Sequence, residues 1–397
     1  MSYKHNDGRP QPVKKLVDMN YLLKEAPREK HFITGAQAMA EAVKRANVDM
    51  AIAYPITPQS EVMHLVGDIF AQGHIKEYYR AEEELGTMSA IAGAARAGVR
   101  LFTATSGPGL LRGLEAIVSW SGHRVPAVLG ILTRVVNAPL SIQPDNIEMA
   151  YMMHCGAVML HAENQQDTFD MTLAAFAITE KVDVYIPVAV ATEGFFVTHA
   201  KGYVDMTPED IALNDFDSVA APVPAMDNET PPARIQRDAP VQKSNFMSYL
   251  IHSVWQQEIW DSNKRAMKYI YEYLGGPIEV QNPESDVFVV ASGCAAAQAR
   301  EAWRYAQEDG LSVGLIKVKA IRPFPEDEIR DAVKNAKALI VPEHNIIGWL
   351  SKEVRAAIPN GGIVVNGPRV YGGMTLPVEL IMKEIHTALG LEYDLKL

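Results

Sequence analysis

The sequence predicts an α/β protein of two units, each built on a parallel sheet, and three observations carry that expectation. Short β-branched runs alternate with helical patterns through most of the chain, the order that puts helices against a parallel sheet. Runs such as Val287-Phe288-Val289-Val290-Ala291 are apolar on both faces, as strands covered from both sides must be. At 397 residues the chain is two to three times the ~100–200 residues of one domain. An apolar fraction of 48% with 21% charged residues excludes a disordered chain. No uninterrupted apolar stretch approaches the ~18 residues of a membrane span. The opening Met1-Ser2-Tyr3-Lys4-His5 has no apolar signal core, so a cytoplasmic protein is expected. With 37 basic against 48 acidic residues, a formal charge of −11 argues against nucleic acid or an anionic membrane as partner.

Residues 1–31 are polar and carry Pro10, Pro12 and Pro27; they read as an arm for a partner subunit. Residues 35–47 read as a helix, with Ala36, Met39, Ala40 and Val43 on one face. A strand over 50–54 runs into Pro55-Ile56-Thr57-Pro58, where Thr57 as N-cap and Pro58 at the first helical position would open a helix over 59–70. A small-residue helix spans 82–97 and ends at Gly98. A strand over 100–104 leads through Ser106-Gly107-Pro108-Gly109 into a helix over 110–122, and strands follow at 126–132 and 182–191. From 204 to 240 six prolines among acidic residues mark a linker, followed by a helix over 245–274. Within that helix Tyr249, Val254, Trp255, Ile259, Met267, Ile270 and Tyr271 recur at roughly helical spacing. The second unit starts near Asp286, with strands at 287–291, 313–318, 338–341 and 362–365 and a helix over 295–309.

Cys155 and Cys294 are far apart and neither sits in a CxxC pair. A disulfide framework, a Cys-rich zinc site or an iron–sulfur cluster held by this chain alone is therefore not expected, and no metal ligand set is assigned. The richest region runs from Tyr54 to Gly109. Glu82-Glu83-Glu84 opens a helix, where acidic residues oppose the macrodipole and are ordinarily solvated. Yet an Ala/Gly-rich helix and then a strand ending in Thr105-Ser106-Gly107-Pro108-Gly109 follow at once. A carboxylate at a helix start, facing a glycine turn at a strand's C-terminal end, sits where open α/β sheets place ligands.

Glu84, its small-residue helix and Phe102-Thr103-Ala104-Thr105-Ser106-Gly107-Pro108-Gly109 resemble the pyrimidine-binding domain of thiamine-diphosphate enzymes. Tyr54-Pro55-Ile56-Thr57-Pro58, Leu132-Thr133-Arg134, Ala162-Glu163-Asn164-Gln165-Gln166, Glu193-Gly194-Phe195, Thr198-His199 and Ile321-Arg322-Pro323-Phe324-Pro325 extend the likeness. Together they are similar to the alpha subunit of a 2-oxoacid:ferredoxin oxidoreductase of the pyruvate type, from about residue 32 to the end. Beyond the arm at 1–31, the resemblance implies a thiamine-diphosphate pyrimidine-binding domain at 32–203. It implies a linker and long helix at 204–275 and a transketolase C-terminal-like α/β domain at 276–397.

The implied chemistry needs an acid of this kind. The C2 proton of thiamine diphosphate leaves to a neighbouring imino nitrogen, and that tautomer forms only when ring nitrogen N1′ shares a proton with a carboxyl group. By its place in the family's motif, the resemblance implies that Glu84 is that residue. The resemblance puts the substrate carboxylate on Arg134, whose fork matches two oxygens, and on Thr57. Ser106, Gly107 and Gly109 would wall the cofactor ring. The reaction implied is oxidative decarboxylation of a 2-oxoacid to acyl-CoA and CO2, with coenzyme A as co-substrate.

No Gly-Asp-Gly diphosphate segment occurs; Gly67-Asp68-Ile69 falls within a helix. The chain is thus expected to hold half a site. A beta subunit would carry the diphosphate and Mg2+, and gamma and delta subunits the [4Fe-4S] clusters. Ferredoxin, or an NAD-linked flavin subunit, would accept the electrons. Where the family has an Asp-His-Ser-Asp loop and a later Trp, this chain has Asp145-Asn146-Ile147-Glu148 and Ala157, with Met149, Met152, Met153 and Met159 added. If these line the substrate end, adaptable thioethers would suit a bulky 2-oxoacid such as phenylglyoxylate, with pyruvate the alternative. His154 and His161 are possible substrate contacts there. A non-oxidative thiamine decarboxylase and a non-catalytic scaffold are the rival readings.

Overall fold

The computed structural model describes residues 12–136, 139–215, 245–358 and 364–394, with 245–255 and 364 described by their backbone. Two short strands come first, β1 (Lys15–Val17) and β2 (Glu29–Thr34), and then α1 (Gly35–Arg45). Thr34 and Gln37 form a reciprocal capping box that starts α1. The alternation that follows is β3 (Met50–Ala53), α2 (Ser60–Ala71), β4 (Glu77–Arg80), α3 (Glu84–Ala95), β5 (Leu101–Thr105) and α4 (Gly107–Gly122). It continues through β6 (Ala127–Thr133), α5 (Ile147–Met152), β7 (Val158–His161), α6 (Gln165–Thr179) and β8 (Val188–Glu193). Strands β9 (Lys201–Met206) and β10 (Ile211–Leu213) close the first unit.

Helix α7 (Asn245–Leu274) leads to β11 (Ile278–Gln281), β12 (Val287–Ser292), α8 (Cys294–Glu308), β13 (Val313–Val318) and β14 (Ala320–Arg322). Next come α9 (Glu326–Ala332), β15 (Ala338–Ile340), α10 (Trp349–Ala357), β16 (Val364–Asn366) and α11 (Val378–Ala388).

The first sheet runs β14-β7-β8-β6-β5-β3-β4, parallel throughout except at β14, which pairs antiparallel with β7. The second runs β11-β13-β12-β15-β16, with only β11 antiparallel. Every residue of β5, β6 and β8 is buried, which is why these segments are mostly apolar on both faces, the polar exceptions being Thr103, Thr105, Thr133, Thr192 and Glu193. The α/β class and its parallel sheets are as the sequence predicts. One apolar core is common to both sheets: Met149, Met152 and Met159 share it with Phe288, Val290, Ile316 and Trp349.

Several local expectations change. The arm expected at 1–31 folds, in its described part, onto its own unit. There β1 pairs with β10 and β2 with β9, so residues 201–206, partly within the expected linker, and 211–213, wholly within it, are strands. The prolines at 222, 224, 231, 232 and 240 lie outside the described residues. Helix α2 begins at Ser60, not at Pro58; its N-cap is Gln59, whose side chain instead accepts the Ile56 N–H. The Thr57–Pro58 peptide is cis. Along α7, Ile259 and Ile270 are buried while Tyr271 is exposed; Tyr249, Val254 and Trp255 fall outside the described side chains. The segment Ile321-Arg322-Pro323 has a role that periodicity could not show. It ends β14, and Arg322 bonds the Met153 carbonyl at 3.0 Å and Glu353 at 2.9 Å, fastening the two units together. Among the described residues no helix is long and apolar enough to cross a membrane.

Candidate active site

The sequence-predicted residues cluster at the C-terminal ends of β3, β5 and β6, the edge at which a parallel sheet presents its loops. Glu84 is the first residue of α3 and Glu83 its N-cap. The two acids part company there. Glu83 faces solvent and pairs with Arg112, whereas Glu84 is only 6% exposed and lies 3.9 Å from the same guanidinium. The Ala/Gly-rich sequence of α3 lets α4 pack closely: a Cβ at Gly113 would lie 2.7 Å from the Met88 side chain.

Behind Glu84 stands the turn from β5 into α4. A Cβ at Gly109 would lie 2.6 Å from Glu84 Oε1 and 2.8 Å from Thr105 Oγ1, so only glycine admits the carboxylate at this depth. The hydroxyls of Thr105 and Ser106 are buried without a hydrogen-bond partner. Buried polar atoms are ordinarily satisfied, so these two hydroxyls beside a buried carboxyl suit a ring bearing polar edges. The residues therefore fit an aminopyrimidine at this place.

Gly107 starts α4 with φ +43°, and a Cβ on it would meet Arg134 Cγ at 2.7 Å. Arg134 follows β6 and is 6% exposed; its Nη1 donates to the Thr57 carbonyl at 3.0 Å and its Nε to the Val135 carbonyl at 3.4 Å. Burial pulls its pKa down and the Glu148 carboxylate pushes it back up. Thr57 itself is exposed on the turn before α2. The structure thus brings Glu84, Thr57, Ser106, Gly107, Gly109 and Arg134 around one turn.

Sequence reasoning missed the residue that joins them. Glu148, fully buried in α5, accepts the Gly107 N–H with Oε1 and the Arg134 N–H with both oxygens, at 3.1 and 3.0 Å. Burial pushes its pKa well up, while the two N–H donors pull the other way. The loop carrying it is held by the second unit. Asn146 N donates to the His344 carbonyl at 2.9 Å, Trp349 Nε1 to the Asn146 carbonyl at 3.0 Å, and Gly372 N to Asp145 at 3.3 Å. A buried acid four residues after Pro144 was the available signal, but an acid in a loop is far more often solvated.

The thioethers expected at the substrate end are elsewhere. Met149, Met152 and Met159 are 0%, 1% and 0% exposed, in the core common to both sheets. Only Met153 and Ala157, with His154, line an open cavity of about 240 Å³ beside Trp260 of α7. His161 is fully buried between the units.

The other quoted motifs are structural. Asn164 caps α6 by accepting the Asp167 N–H at 3.0 Å, and Glu163 joins the units through Arg300 and Lys317. Gly194 has no room for a side chain, with Thr133 O and Pro58 Cγ 2.5 and 2.6 Å from where its Cβ would stand. Thr198 accepts the Phe195 N–H at 2.8 Å in the same turn.

The chain is similar to known proteins over most of its length. Residues 41–266 match the family described as pyruvate flavodoxin/ferredoxin oxidoreductase, thiamine diP-binding, and residues 285–381 match pyruvate:ferredoxin oxidoreductase core domain II. Pyruvate synthase subunit PorA of Methanocaldococcus jannaschii is 31% identical over 79% of this chain and 82% of its own. The same subunit of Methanothermobacter thermautotrophicus is 32% identical over 82% and 87%. Ketoisovalerate oxidoreductase subunit VorA of Pyrococcus abyssi is 28% identical over 84% and 86%. In fold, the chain is similar to 2-oxoglutarate:ferredoxin oxidoreductase from Magnetococcus marinus, with a TM-score of 0.77 at 20% identity, over 91% of this chain and 66% of that one. A split-gene transketolase aligns at TM-score 0.57 and 14% identity, over 91% of this chain and 100% of that one.

Proposed function

Because the chain belongs to the pyruvate flavodoxin/ferredoxin oxidoreductase family, as an alpha subunit of the 2-oxoacid:ferredoxin type, we propose that it provides the pyrimidine half of a thiamine-diphosphate site. The reaction is a 2-oxoacid plus coenzyme A and two oxidised ferredoxins giving acyl-CoA, CO2, two reduced ferredoxins and a proton. The substrate is pyruvate or another small aliphatic 2-oxoacid. Burial of Met149, Met152 and Met159 in the core takes away the support for a phenylglyoxylate site, and the relatives are named for pyruvate and ketoisovalerate.

The observation that carries the proposal is Glu84, buried at a helix start against Gly109 and two unpartnered hydroxyls. Thiamine diphosphate, when bound, supplies the carbon nucleophile and the electron sink for loss of CO2. Glu84 holds a proton at its carboxyl toward the ring nitrogen N1′, in a place where water is excluded. Arg134, fixed at the Thr57 carbonyl, turns its fork toward the substrate carboxylate, with Thr57 beside it. Ser106 and Gly107 form the wall behind them.

A beta subunit would bring the diphosphate grip with its Mg2+, and gamma and delta subunits the [4Fe-4S] clusters. Both cysteines of this chain are buried, which supports placing the clusters elsewhere. The test is Glu84→Gln in the reconstituted assembly. Loss of turnover by at least ~10²-fold, the scale of a lost general acid–base group, is expected with assembly unchanged. Full activity in that variant would overturn the reading.

A further inference from the structure

Apart from the candidate active site, one group of side chains lies in the seam between the two units. Glu193 ends β8 of the first sheet, Cys294 opens α8 of the second unit, and His344 follows β15. All three are buried, at 0%, 4% and 2% exposure, and a carboxylate oxygen, the thiol sulfur and a ring nitrogen lie within 4.8 Å of one another. Cys294 Sγ is 3.1 Å from His344 Nδ1. Around a tetrahedral zinc ion, with Zn–S ~2.3 Å and Zn–N or Zn–O ~2.0–2.2 Å, such atoms stand about 3.5 Å apart.

The polar atoms here are left over in a way that neighbouring protein does not resolve. Ser292 Oγ donates to the Val318 carbonyl at 2.8 Å, so it accepts from His161 Nδ1, also at 2.8 Å. His161 Nε2 lies 3.1 Å from Glu193 Oε1. Glu193 Oε2, His161 Nε2 and His344 Nε2 are all buried without a hydrogen-bond partner. Gly293 makes the approach possible, since a Cβ there would stand 2.2 Å from His161 Nε2 and 2.3 Å from Glu193 Oε1. Lone pairs converging in a dry seam ask for a cation.

We propose that Glu193, Cys294 and His344 form a structural site for a divalent cation of the zinc class, clamping the two α/β units together. The donor set of one thiolate, one imidazole and one carboxylate is borderline-soft, which selects zinc over magnesium or calcium. The surroundings supply the outer hydrogen bonds such a site needs: Asn146 Nδ2 donates to Glu193 Oε1 at 3.0 Å, and His161 stands beside the same oxygen. Binding releases the thiol proton to solvent and involves no change of oxidation state.

The full chain, produced anaerobically in cells supplied with Co2+ in place of Zn2+, provides the test. About one cobalt per chain is expected, with a thiolate-to-cobalt charge-transfer band; Cys294→Ser should lose the band and His344→Gln should retain at least ~10-fold less metal. A wild-type chain that carries no metal, or carries it without the band, overturns the proposal whether or not the variants fold. Retention of the band in Cys294→Ser does so as well.

Discussion

Both carboxylate oxygens of Glu148 accept the backbone N–H of Arg134, at 3.1 and 3.0 Å, and Oε1 also takes the N–H of Gly107. One buried acid thereby sets the distance between the candidate substrate-binding arginine and the turn that walls the cofactor ring.

Replacing Glu148 by Gln would turn an amide N–H toward those donors. A loss of about 1–3 kcal/mol in urea unfolding is expected, the cost of a broken buried hydrogen bond. A misplacement of even ~1 Å at the turn would lower kcat/KM about 10²-fold. Unchanged kinetics in a destabilised variant would separate a packing role from a positioning one.

Arg134→Lys keeps the charge and removes the fork. A rise in KM for the 2-oxoacid of about 10–100-fold is expected, matching the ~1.5–3 kcal/mol of a hydrogen bond to a charged group. Steady-state kinetics on the reconstituted assembly give the answer, and a KM equal to the wild type would remove Arg134 from the substrate site.

Gly109→Ala places a methyl group 2.6 Å from Glu84 Oε1. Either the carboxyl or the turn must move. Thiamine diphosphate activation of the apo-assembly should then need at least ~10-fold more cofactor, a shift of about 1.4 kcal/mol. Titration of activity against added cofactor measures it.

The substrate is decided by relative kcat/KM on pyruvate, 2-oxoisovalerate and phenylglyoxylate. The aliphatic acids are expected to lead by 10-fold or more on the order of what pocket fit supplies. Preference for phenylglyoxylate would restore an aromatic pocket that the buried thioethers do not provide.

Glu163 predicts an acid-sensitive joint between the units. Burial pushes its carboxyl up, but the Arg300 hydrogen bond and the Lys317 charge outweigh that and hold it below its ordinary 4.5. The unfolded chain therefore binds more protons below about that pH, so this contribution is complete above pH 4.5 and is lost as pH falls. Glu163→Gln should cost about 1–3 kcal/mol at pH 7, since Lys317 keeps Asp167 at 2.8 Å and Arg300 keeps Glu279 at 3.5 Å, and should flatten the acid limb of a denaturation profile.

How far the sequence could be read depends on the range of the forces involved. The bounds of β13 and α7 match the expected ones, because apolar runs and helical spacing are local. Strands β9, β10 and β14 escaped notice: each is short, lies at an edge or in a two-stranded pair, and exists because a distant partner offers hydrogen bonds. Glu84 was recognisable by motif, whereas Glu148 looked like any loop acid until the fold closed over it. The methionines show the opposite error. A thioether reads the same whether it faces a ligand or a core, and only the packing of α5 against Phe288 and Trp349 tells which.

Strand β14 lends its three residues to a sheet otherwise drawn from the first half of the chain. Cutting the polypeptide ahead of residue 276 would therefore not liberate an autonomous module. It would bare the β7 margin and the apolar undersurface of α5, an invitation to stick to any other unpaired backbone. Evolution or engineering that shuffles these halves must carry that narrow strip across the joint.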